Sequence, residues 1–151
     1  MQIATAAVFA LGAIYSVVIA FAYVNHDSML RAMKAQGQSF PSGSDVDTIV
    51  NAAVVFSLGF FVFIAVCELV IALGSYLAWR WMFWVALVLL ALSGLGGLTN
   101  LSTFARPETS PIPVWAVAIS EVFALASLGL FVWLLIGAIR FGPWAMKKPG
   151  A

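Results

Sequence analysis

Residues 49–74 read IVNAAVVFSLGFFVFIAVCELVIALG. The run is long enough to cross a bilayer, whose hydrocarbon core takes about 20 apolar residues as helix. It holds one charged residue, Glu68, in a segment otherwise suited to lipid. The run therefore decides the fold, and Glu68 sets the functional question.

Three more stretches match it: Ile3 to Val24, Met82 to Phe104 and Ile112 to Phe141. Each can close its own backbone hydrogen bonds as a helix, which lipid requires. The rest of the composition agrees. The chain is 64% hydrophobic and 9% charged over 151 residues, whereas a soluble domain carries about 25% charge. The expected fold is an all-α integral membrane four-helix bundle, one domain over residues 1–151, with spans near 3–24, 49–74, 82–104 and 112–141. Ala20-Phe21-Ala22 fits a signal-peptide cleavage pattern. MQIAT lacks the basic residues of such a signal, so the first run is read as a retained membrane helix.

Residues 25–48 form the one sizeable loop. Met29, Leu30 and Met33 fall on one side of its first half, Arg31 and Lys34 on the other. That pattern suggests a short interfacial helix stopped by Gly37, or an overhang of the first span. Phe40 to Gly43 reads as a turn, and Ser44 with Asp47 resembles a capping box for the second span. Trp79, Trp81, Trp84 and Trp144 mark one membrane face and Trp115 the other, as an aromatic belt.

Four spans put both termini on one side. Arg80, Arg140, Lys147 and Lys148 lie on that side, and Arg31, Lys34 and Arg106 on the opposite one. The excess is one residue, and with the basic tail it points to cytoplasmic termini in a cell membrane. The loop 25–48 then faces outward.

A charge at mid-bilayer costs roughly 2.5–3.5 kcal/mol on insertion scales, so intramembrane carboxylates are functional candidates. Counting about 1.5 Å per residue sets Glu121 level with Tyr15, Ser16, Ser57 and Ser93, and Ser120 adjoins it. This is a candidate polar layer drawn from all four spans. It either locks the bundle by hydrogen bonding or holds a proton or cation. No polar residue is expected at the depth of Glu68. Such a carboxylate is carried as the neutral acid, snorkels inward, or meets another chain. Ala65, Ala72 and Ser75 share its face and are small enough to let a partner helix approach. Arg31 and Lys34 are candidates for lipid headgroups.

Small residues recur at packing intervals: Gly12, Ser16 and Ala20; Ser93 and Gly97; Ala116, Ser120 and Ala124. Ser57-Leu58-Gly59-Phe60-Phe61-Val62 echoes Ser127-Leu128-Gly129-Leu130-Phe131-Val132, as a parallel repeat would. The first and third spans carry no matching register.

Catalytic and metal signatures are missing. One histidine, His26, and scattered carboxylates make neither a metal set nor a triad. The lone Cys67 excludes an internal disulfide and a CxxC site. A net charge of +1 gives no case for nucleic acid. The expectation is therefore no enzyme and no cofactor. The first expected function is an accessory or assembly subunit of a larger membrane complex. The alternatives are a homo-oligomeric proton- or ion-coupled transporter or channel using Glu121 and Glu68, and a lipid-binding module.

Overall fold

The computed structural model describes residues 2–38 and 45–141. Among them are five α-helices: α1 (Gln2–Tyr23), α2 (His26–Ala35), α3 (Val46–Tyr76), α4 (Arg80–Ala105) and α5 (Val114–Phe141), with a 3-10 turn at Pro107–Thr109. No strand occurs in the described residues. The helices α1, α3, α4 and α5 are each long and apolar enough to cross a membrane. The protein is thus an all-helical, multi-pass bundle, and every span limit lies within a few residues of the expected one.

Apolar composition makes the helices, and short polar devices end them. Asn25 breaks α1 from α2. Its side chain accepts from the Ser28 N–H, and the Ser28 hydroxyl accepts from the Asn25 N–H, both at 3.0 Å. This capping box makes α2 a separate helix and not an overhang of α1. Gly37, at φ 77°, follows the end of α2. The cap of α3 is Asp45, which accepts from the Thr48 N–H and hydroxyl. These bonds hold the Asp45 carboxyl below the usual carboxylate range. The expected pairing of Ser44 with Asp47 rests on a residue outside the described ones. Asp45 has the geometry for the cap, and Asp47 instead places a carboxylate oxygen 3.2 Å from His26 Nε2. Ser44, the expected turn at residues 40–43, Trp144 and the basic tail lie outside the described residues.

The turn from α3 to α4 takes only Leu77 to Trp79. Ala78 adopts φ 58°, a left-handed conformation that usually falls to glycine. The Trp79 N–H reaches back to the Gly74 carbonyl at 3.0 Å and the Ala78 N–H to Ser75 at 3.2 Å. The last carbonyls of α3 are thereby satisfied, and α4 turns back antiparallel. Trp79 and Trp81 stack with centroids 6.0 Å apart at this membrane face.

The spans associate as two pairs. Helix α1 packs chiefly on α3, and α4 chiefly on α5. The pairs meet more thinly, α1 against α5 and α3 against α4. In lipid, pairing depends on close packing more than on hydrophobic expulsion, and each pair buries small residues. Ala13, Ala20, Ala65 and Ala72 are buried in the first pair and Ala116 and Ala124 in the second. Toward the end that holds the chain terminus, Phe9, Ile71, Phe83, Leu90 and Leu134 join all four spans in one apolar cluster. Toward the loop end, the Tyr15 hydroxyl donates to the Ala116 carbonyl and its ring lies 5.4 Å from Phe123. The pairs are thus sealed at both ends and less tightly joined between.

Candidate functional site

Between those seals lies a partly enclosed cavity of about 220 Å³. All four spans contribute to its wall. Gly12 comes from α1, Glu68 and Cys67 from α3, Ser93 from α4, and Phe123 and Ser127 from α5. Most of the remaining wall is aliphatic. The volume far exceeds the roughly 10–15 Å³ that one water needs.

Glu68 is placed there by a glycine. A Cβ built on Gly12 would sit 3.7 Å from Glu68 Oε1 and 3.8 Å from Oε2. The carboxylate thus lies over a part of α1 that has no side chain. Glu68 Oε2 is buried and has no hydrogen-bond partner among the described residues. Such an orphan carries a desolvation penalty unless something occupies the adjoining space.

Glu121 uses the same device in the other pair. A Cβ on Gly97 of α4 would lie 3.0 Å from Glu121 Oε2 and 2.6 Å from the Ala124 Cβ. This seat is tight. Glu121 Oε1 is also buried without a hydrogen-bond partner among the described residues, yet Glu121 is not part of the cavity wall. Six residues separate it from Ser127, which is, so it stands about 9 Å nearer the loop end along α5.

The expected polar layer does not assemble around Glu121. Ser120 donates to the Val117 carbonyl at 2.7 Å and Ser16 to the Ala13 carbonyl at 3.1 Å, each within its own helix. Tyr15 is committed to Ala116. Ser93 lies 3.5 Å from the Ser127 hydroxyl, a long contact, on the wall of the Glu68 cavity. Ser57 is half-buried, eleven residues before Glu68 on α3, about 16 Å away along the axis. Helix α5 begins at Val114, two residues after the expected Ile112, an offset of about 3 Å in the depth of Glu121. The packing of α4 on α5 brings Gly97 against Glu121, and Ser93, four residues earlier on α4, lies about 6 Å deeper.

The expected partner-helix face is corrected as well. Ala65, Ala72 and Ser75 are 4%, 7% and 0% exposed. Small residues invite the nearest helix, and the chain's own spans take up that surface. The Ser75 hydroxyl is buried without a hydrogen-bond partner among the described residues. The candidates Arg31 and Lys34 are both exposed on α2. Of the two, Arg31 lines a second cavity at the loop end.

Gly12 and Gly97 were the residues that sequence reasoning missed as seats. The available signal was a glycine on a facing helix for each membrane carboxylate. Using it required the pairing of α1 with α3 and α4 with α5. Comparison with protein-family models, with curated proteins and with solved structures finds no match to this chain.

Proposed function

We propose that the protein is a small carrier or channel, coupled to a proton or cation held at Glu68 and acting as a homo-oligomer. The observation that carries this reading is the unpaired Glu68 oxygen on the wall of a cavity shared by all four spans. An ionisable group in a membrane helix that faces an internal cavity is the usual marker of an ion or proton path. Apolar walls keep bulk solvent away, and Ser93 and Ser127 supply hydroxyls for a guest to bind. Glu121 is not on that wall and is assigned a packing role, so the reading narrows from two glutamates to one. Four spans enclose little volume, and a second copy would complete the path. The excess of one basic residue on the side of the termini supports a cytoplasmic position for them in a cell membrane.

The test is proton uptake in liposomes holding the purified protein and a pH-sensitive dye. Wild type should dissipate an imposed gradient, Glu68→Gln should slow it at least tenfold, and Glu121→Gln should stay within about twofold, one decade being 1.4 kcal/mol. Equal rates in wild type and Glu68→Gln would remove the proposal.

A second reading, assembly with other membrane subunits, has its own support. Gly59 on α3 and Gly129 on α5 are exposed, and a Cβ on either would meet nothing within 4 Å. Both belong to the echoed Ser-Leu-Gly segments, and exposed glycines let a foreign helix approach closely. If this reading holds, Gly59→Leu with Gly129→Leu should release co-purifying subunits in native mass spectrometry. Unchanged stoichiometry would set it aside.

A further inference from the structure

A second cavity, of about 370 Å³, lies at the loop end, apart from Glu68. Tyr23 and Arg31 stand on one wall, and Ser110, Ile112, Pro113 and Val114 on the other. Its shape is held from both sides. The Asn25–Ser28 box fixes the break between α1 and α2. Gln36 Nε2 donates to the Thr109 carbonyl at 2.9 Å, which ties α2 to the turn before α5.

Among the described residues, Arg31 is the one charged residue on this wall. Among the described residues it forms no ion pair; the close carboxylate contacts present belong to His26. The Ser110 hydroxyl accepts from the Ile112 N–H at 3.2 Å and so keeps its own proton to donate. Tyr23 packs edge-on to Trp115, with centroids 5.7 Å apart. Aromatic pairs of this kind lie at headgroup level in a membrane protein. The wall then continues through Ile112 to Val114, which is 40% exposed at the start of α5.

We propose that this cavity seats the phosphate of an anionic membrane lipid, with the Arg31 guanidinium as its fork. Arginine meets phosphate through two parallel N–H bonds, which a single amine cannot do. The Ser110 hydroxyl supplies a further donor, and the apolar edge at Ile112 and Val114 receives the start of an acyl chain. Lys34 lies three residues further along α2 but is not part of the wall. The site therefore depends on one particular basic residue, in contrast to the diffuse attraction of a polybasic surface. It does not rest on the carrier reading and would stand if Glu68 proved inert.

The test is native mass spectrometry of the full chain titrated with phosphatidylglycerol in mild detergent, with phosphatidylcholine as the neutral control. Phosphatidylglycerol should bind at one site per chain and phosphatidylcholine should not. Affinity should fall at least tenfold in Arg31→Gln, severalfold in Arg31→Lys, and less than twofold in Lys34→Gln. Melting temperatures of the three variants, measured alongside, should match wild type, since both side chains are exposed. Millimolar inorganic phosphate should fail to displace the lipid. Undiminished binding in Arg31→Gln overturns the proposal. So does an equal loss in Lys34→Gln, which would mean diffuse charge, or displacement by phosphate, which would mean a free-anion site.

Discussion

Glu68 and Glu121 rest on the same device and stand in opposite surroundings. Each lies on the second helix of a pair and over a glycine on the first, Gly12 for Glu68 and Gly97 for Glu121. Each has one buried oxygen without a hydrogen-bond partner among the described residues. Glu68 borders a cavity of about 220 Å³, whereas Glu121 is not part of its wall and lies close against Gly97. A glycine seat admits a carboxylate into a membrane bundle, and the free volume beside it decides what the carboxylate can do. With room, it can take a guest. Without room, it can only hold its place.

The largest expected contrast lies in the seats themselves. Gly97→Ala forces a methyl to 2.6 Å from the Ala124 Cβ, and overpacking of this kind costs typically about 1–3 kcal/mol. Gly12→Ala places its methyl at ordinary contact distance from Glu68, so its effect on stability should stay within about 0.5 kcal/mol. Chemical unfolding in micelles measures both. Equal losses would dissolve the distinction between a tight and an open seat.

The link between the pairs should be separable from either seat. Ala78 holds a left-handed conformation that costs a residue with a Cβ roughly 1–2 kcal/mol. Ala78→Gly relieves this strain but adds freedom to the unfolded chain, so a gain of about 0.5–1 kcal/mol is expected. Proton uptake should not change. Altered uptake would mean that the turn, and not the cavity alone, controls Glu68.

The smallest effect concerns pH. Asp45 caps α3, the helix that carries Glu68, and its carboxyl is held below the usual range by Thr48. A depressed group adds stability above its unfolded value and loses it as pH falls through the folded one. Amide exchange in the first turn of α3 should therefore quicken only below the ordinary carboxylate range, with α5 unaffected. An onset near neutral pH would show that the cap does not depend on Asp45.

Much of this fold was legible because lipid imposes one rule on every span. Runs such as 49–74 and 112–141 admit no other reading, and the helix limits follow within a few residues. The site was less legible, for a geometric reason. Depth counted along a helix accumulates every error at its start, and the two-residue offset at Val114, about 3 Å, is only part of the roughly 6 Å by which Ser93 lies deeper than Gly97, the residue that faces Glu121. Which faces meet is a property of pairing, and pairing is not encoded in hydropathy. Ala65, Ala72 and Ser75 looked like an outward surface because the sequence does not say that α1 covers α3. The break at Asn25 was available in principle, since Asn followed three residues later by Ser is a capping pattern, but the apolar run before it masked the boundary.

The most direct measurement is site-resolved labelling by a hydrophobic carbodiimide, which attacks carboxyl groups it can reach within a membrane. The labelled chain is digested, and modification at each glutamate is read by mass spectrometry. The account predicts adduct at Glu68, a severalfold slower reaction in Gly12→Ala, and little at Glu121. Adduct at Glu121 equal to that at Glu68, or none at Glu68, would contradict it.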